Sequence, residues 1–340
     1  MNGYFTQLDT YPYSKAKRTF SVAAAGLLVI RFVQIVFAYA LSDTVGGLFP
    51  DFASGSYFRW FINYVPFYFV AIPVYLLLTS YFPKAERKRT SPLRFADWIK
   101  LLAISYTLIY AGNVIGVSVS SVLSKAFGKN VVNPVAEALD GENVFLMFLI
   151  VGILAPVFEE LVFRKAMIDR LSLYGEKTAM IFSGVCFGLF HGNFAQGFYA
   201  AFLGIFFGYI YLRTGKIRYT VALHMFINSV SVIQSHFLPD LDKLFDILDT
   251  ENVSQTTELL KRWLSDNALG LSVVIPISFG CVVLGVFGLV TLIRHKKHVY
   301  FNRALLEIPK GKAGNVAWLN AGAVLFLLYC GFEMVYSIIG

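Results

Sequence analysis

An all-α, polytopic transmembrane bundle of about eight to nine helices is the fold class this sequence predicts, and three observations predict it. Of 340 residues, 57% are apolar and only 15% charged, against about 25% charged in a soluble domain, so much of the chain must meet lipid. Apolar runs approaching the roughly 20 residues needed to cross a bilayer recur along the whole length. The period-2 alternation of an outer-membrane barrel is absent, and helices satisfy their own backbone groups in lipid.

Nine spans are expected, at residues 20–41, 62–81, 99–120, 143–163, 178–191, 194–212, 218–235, 269–293 and 316–338. The fifth is the shortest and falls short of a full crossing. The chain divides into an N-terminal membrane segment of three spans (1–142), a central helical core (143–235), an extracytoplasmic polar loop (236–268) and a C-terminal segment of two spans (269–340). The loop carries Asp240, Asp242, Asp246, Asp249, Glu251, Glu258 and Asp266 and is expected to be solvated and partly helical. Cys186, Cys281 and Cys330 all lie in apolar runs, where a thiol behaves as a small hydrophobe, so a disulfide scaffold is excluded.

The net charge of +8 is a topology signal. Lys15, Lys17 and Arg18 precede the first span; Lys84, Arg87, Lys88, Arg89 and Arg94 follow the second. Arg164, Lys165, Arg170 and Lys177 follow the fourth; Arg213, Lys216 and Arg218 follow the sixth; the loop after the eighth is equally basic. Basic residues thus concentrate on alternate loops, which places the N-terminus in the cytoplasm. Short, dispersed basic loops do not suit nucleic acid, and no nucleic-acid partner is expected. The first apolar run is too long for a signal-peptide core and reads as a retained anchor.

Ionisable groups inside spans are costly and mark function by default. Arg31 and Glu333 lie in the first and last spans and read as structural. The remaining four fall between residues 150 and 230. Glu159 and Glu160 are adjacent, so on a helix they point about 100° apart and do different work. Glu160 and Arg164 stand four apart and face each other, leaving Glu159 as a partly desolvated carboxylate suited to general-base chemistry. Phe187 lies one helical turn before His191, and His224 and Asn228 share a face at the same spacing. Gly184 with Gly188, and Gly204 with Gly208, are small-residue faces through which the fifth and sixth spans can approach closely.

The order Glu159-Glu160…Arg164, Phe187…His191, His224…Asn228 resembles the signature of the CPBP family, the CAAX proteases and bacteriocin-processing enzymes, over about residues 143–235. The resemblance implies an intramembrane endopeptidase of a membrane-associated or lipidated peptide or protein. In it Glu159 and His191 would activate a water, Glu160 and Arg164 would form a supporting pair, Phe187 would be a further supporting residue, and His224 and Asn228 would form the oxyanion site. It also favours the bacterial plasma membrane. No cofactor is expected. Zinc is the open alternative, with Glu159, His191 and His224 as its three ligands. A histidine paired with a carboxamide suits donors to an oxyanion, and His224 cannot bind metal and donate from the same nitrogen.

One tension stands. With a rise of about 1.5 Å per residue, Glu159 lies near the inner end of span four while His191 lies deep in span five. A tilt of span five, or a turn back at Gly192-Asn193, would bring them together. Two other readings compete: a non-catalytic membrane regulator or bacteriocin-immunity scaffold of the same fold, and a secondary transporter, which the lack of an internal repeat disfavours. Partners other than lipid and a peptide substrate, and the oligomeric state, are not legible.

Overall fold

A computed structural model describes residues 5–86, 92–129, 143–249 and 252–339. Arg87, Lys88 and Arg89 of the second basic loop and Glu251 of the acidic stretch lie outside the described residues. The helices are α1 (Phe5–Leu48), α2 (Tyr57–Ser80), α3 (Phe95–Ala126), α4 (Val144–Tyr174), α5 (Glu176–Leu189), α6 (Phe194–Thr214), α7 (Ile217–Phe237), α8 (Leu241–Leu248), α9 (Val253–Asp266), α10 (Ala268–His298), α11 (Ala313–Trp318) and α12 (Ala321–Ile339). No strand occurs among the described residues.

Among the described residues, seven helices are long and apolar enough to cross a membrane: α1, α2, α3, α4, α6, α10 and α12. The chain is an integral membrane protein. Two of the nine expected spans do not stand among the seven. Helix α5 has 14 residues, about 21 Å of rise, too short to cross. Helix α7 has 21 residues, but His224, Asn228, Ser229, Ser231 and Gln234 lower its hydropathy.

The fourth span departs most from its sequence reading. Its helix does not stop at 163 but runs to Tyr174. Arg164 and Arg170, expected in an inner loop, are buried in it. Burial is tolerated because each finds partners. Arg164 pairs with Glu160 at 3.1 Å, and Arg170 donates to the carbonyls of Thr79 and Ala166. The two residues therefore carry no orientation signal. The longer helix also removes the depth conflict. Glu159 lies 15 residues from Tyr174, about 22 Å in at helical rise, level with a residue at the far end of α5.

Helices α5 and α6 form an antiparallel hairpin and make the most extensive helix–helix contact of the bundle. A β-carbon on Gly188 would come within 2.6 Å of the Ala201 Cβ, and one on Gly204 within 2.8 Å of the Gly184 Cα. Only glycine permits that approach. The chain reverses through Gly192, whose φ of +70° falls in the left-handed region. Asn193 then caps α6, its Oδ1 accepting from the Gln196 N–H at 2.8 Å. Helix α6 backs onto α3, and α3 onto α10. Helix α1 packs along α2 and α12, while α7 lies against α4. The core of this arrangement is built from Phe20, Tyr75, Phe163, Phe182, Phe187 and Phe326, all buried. Residues 236–268 hold the short helices α8 and α9.

Candidate active site

The two carboxylates sit on a six-residue α-helical segment of α4, Ala155–Glu160. π-helical turns flank it on both sides, Phe148–Leu154 and Leu161–Ile168. Such widened turns are frequent at functional sites because they change the angular step between side chains and open backbone carbonyls to outside donors. Here the Val151 carbonyl, in the first widened turn, accepts from Asn228 Nδ2 on α7 at 3.0 Å. That bond joins the two helices that carry the carboxylates and His224.

Glu160 and Arg164 are both completely buried, and Glu160 Oε2 lies 3.1 Å from Arg164 Nε. The guanidinium carbon stands 4.9 Å from the centroid of the Phe187 ring and 5.7 Å from that of Phe207. A planar, weakly hydrated cation between aromatic faces is the form of positive charge least costly to desolvate. The other Glu160 oxygen, Oε1, meets His224 Nδ1 at 3.2 Å. His224 Nε2 faces Glu159 Oε2 at 3.5 Å. The imidazole of His224 is thus held between two carboxylates, with Phe187 and Phe207 also against its ring.

Glu159 differs from Glu160 as their angular offset requires. Its side chain keeps 20% of its exposure. Tyr64, Tyr68 and Tyr199 stand close enough to feel its charge, and so does His191. His191 Nδ1 is engaged by the Phe187 carbonyl at 2.9 Å, and the Phe187 ring meets the imidazole edge-on at 5.0 Å. As carbonyl oxygens only accept, His191 Nδ1 carries the proton, and in the neutral ring Nε2 keeps its lone pair.

The structure therefore gathers Glu159, Glu160, Arg164, Phe187, His191 and His224 around one locus. Asn228 adjoins it, with one amide N–H committed to Val151. The imidazole that faces Glu159 at 3.5 Å is that of His224. Sequence reasoning missed the tyrosines. Trp60, Tyr64 and Tyr68 stack at 5.1 and 5.9 Å along α2, and Tyr68 stacks on Phe158 at 4.7 Å. Their i, i+4, i+8 spacing was the available signal, but such a stripe also reads as ordinary lipid-facing packing. Beside it lies an apolar cleft of about 340 Å³ lined by Trp60, Tyr64, Tyr68, Leu146, Ile150 and Leu154, among others.

Zinc, the alternative, would take Glu159, His191 and His224 as its ligands. No three histidine, cysteine or acidic side chains converge as a metal-binding group among the described residues. His224 Nδ1 is engaged by Glu160, while Nε2 faces Glu159 at 3.5 Å.

Comparison with known proteins bears on the same region. Residues 141–230 match the family model of type II CAAX prenyl endopeptidases, Rce1-like. Over 96 residues the chain is 33% identical to YdiL of Bacillus subtilis, a candidate membrane peptidase, covering 27% of this chain and 38% of that protein. Over 184 residues it is 26% identical to the membrane-embedded CAAX protease MroQ of Staphylococcus aureus, covering 52% of this chain and 68% of the relative. No solved structure matches the chain significantly. The segment similar to the type II CAAX prenyl endopeptidases, residues 141–230, is the one that holds Glu159, Glu160, Arg164, Phe187, His191, His224 and Asn228.

Proposed function

We propose that this protein is an intramembrane endopeptidase that hydrolyses a peptide bond of a membrane-associated or lipidated substrate, working in the plasma membrane of a bacterium with its N-terminus in the cytoplasm. The observation that carries the reading is the meeting of Glu159, Glu160 and His224 with the His191 turn inside the bundle. Packing alone does not call for an ionisable side chain from each of three helices in lipid.

In this reading Glu159 is the base. Its carboxylate takes a proton from a water as the water oxygen bonds to the scissile carbonyl carbon. The lone pair on His191 Nε2 orients that water. The carbonyl oxygen becomes an oxyanion, which His224 and the second amide N–H of Asn228 stabilise by donation in a low-dielectric site. As an imidazolium, His224 donates from both nitrogens: Nδ1 to Glu160, and Nε2 toward the side on which Glu159 and the oxyanion lie. The C–N bond then breaks, and Glu159 returns its proton to the leaving amine. Glu160 and Arg164 hold His224 and the α4 face in place. The apolar cleft along Tyr64 and Tyr68 suits an acyl or prenyl chain, or an apolar side chain, laid beside Glu159.

The test is the membrane peptidome of cells carrying wild-type protein or Glu159→Gln. The reading expects specific peptides to vanish in the variant while the protein is inserted at the wild-type level. Identical peptidomes would leave the chain a scaffold of the protease fold.

A further inference from the structure

Two ionisable side chains outside residues 141–230 reach the turn that carries His191. Arg31 of α1 donates from Nη2 to the Phe190 carbonyl at 2.6 Å. Its guanidinium also stands 4.3 Å over the Phe190 ring. From α12, the Glu333 carboxylate covers Gly192. A β-carbon there would lie 3.1 Å from Glu333 Oε2, and the other oxygen accepts from the Tyr329 hydroxyl at 2.5 Å.

The Phe190 carbonyl is the other end of the peptide group whose nitrogen belongs to His191. Fixing that oxygen fixes the plane from which the His191 side chain springs. The position needs fixing. Phe190 is the first residue past α5, so its carbonyl lies among those with no donor within the helix. Gly192 follows with a φ of +70° and contributes no side chain to hold the backbone. A positive group at a helix C-terminus is favoured by the helix dipole, and inside a membrane the carbonyl has no bulk water to turn to. The ring of His191 is already tied to the Phe187 carbonyl. With Arg31 on the backbone, both ends of the residue are held.

We infer that Arg31 is a positioning residue for His191: helix α1, which lies outside the family-matched segment, fixes the catalytic turn through the Arg31–Phe190 bond. The kinetic part of the inference rests on the endopeptidase reading; the structural part does not.

The experiment uses full-length protein in nanodiscs, as wild type, R31M and R31K. The first readout is the NMR spectrum of protein labelled with ¹³C at histidine Cε1, with the His191 and His224 signals assigned from H191Q and H224Q. In R31M the His191 signal should move and broaden while the His224 signal stays in place. R31K should fall between R31M and wild type, because an ammonium can reach one carbonyl but cannot stack on the ring. The second readout is turnover of an internally quenched, farnesylated peptide. R31M should lower kcat about 10- to 100-fold with KM within about twofold, since shifts of about 1 Å at a reacting group cost that much. A wild-type His191 signal in R31M overturns the inference; where R31M does not accumulate, a wild-type signal together with wild-type kcat in R31K does so. Absence of turnover in the wild type would count against the endopeptidase reading alone, and the spectrum would still decide the role of Arg31.

Discussion

His224 and Glu160, 64 residues apart in the chain, meet at 3.2 Å through Nδ1 and Oε1 in a buried part of the bundle. The contact makes the imidazole part of the same charge network as Arg164. It also gives the two neighbouring glutamates different surroundings, with Glu160 enclosed and Glu159 partly exposed.

Glu160→Gln is expected to destabilise the fold. It leaves Arg164 buried without its counter-charge, and removing one partner of a buried pair costs about 3–5 kcal/mol. Thermal unfolding in detergent should show a clear fall in Tm, and the yield of inserted protein should drop with it. A Glu160→Gln protein as stable as wild type would show that Arg164 is neutralised by something else.

Gly188→Leu should part α5 from α6. The added side chain would enter space held by Ala201 and the Gly197 carbonyl. Overpacking of this kind costs about 1–3 kcal/mol, and His191, one turn further along, moves with the helix. The measurement is turnover per folded molecule. Wild-type turnover in Gly188→Leu contradicts the hairpin interface.

Asn228→Ala should separate catalysis from packing. Its bond to the Val151 carbonyl is one helix–helix hydrogen bond, worth about 1 kcal/mol. An oxyanion donor is worth a factor of about 10²–10³ in kcat. The expected result is a large fall in kcat with a Tm near wild type. A fall confined to Tm would return Asn228 to a purely structural role.

Chelation should leave turnover unchanged in the metal-free reading, where His224 serves as a hydrogen-bond donor, through Nδ1 to Glu160 and through Nε2 to the oxyanion. The check is metal analysis of active protein before and after dialysis against a chelator. Stoichiometric zinc whose removal and return track activity would make His224 a ligand and displace it from the oxyanion site.

Much of the fold was legible because lipid imposes one rule on every span: apolar length. The rule locates α1, α2, α3, α6, α10 and α12 to within a few residues at their apolar parts. It misplaces the end of α4, since it counts Arg164 and Arg170 as solvated. In the structure Glu160 and two aromatic rings neutralise the first, and backbone carbonyls the second. The site was legible where spacing along one helix determines proximity, as for Glu160 with Arg164 and Phe187 with His191. It was illegible where helices meet. Nothing local in the sequence tells that His224 inserts between both glutamates, that α4 widens into π turns, or that Arg31 reaches the Phe190 carbonyl from 159 residues away.

The proposed mechanism stands or falls on Glu159 as the base. Glu159→Gln keeps the size of the side chain and removes its basicity, so the decisive measurement is single-turnover hydrolysis of the quenched farnesylated peptide by wild-type and Glu159→Gln protein, each confirmed folded by its Tm. The variant should lose at least about 10³-fold, of the order expected when a general base is removed, with Tm near wild type because Glu159 lacks the enclosed ion pair of Glu160. Hydrolysis by Glu159→Gln within about tenfold of wild type contradicts this assignment.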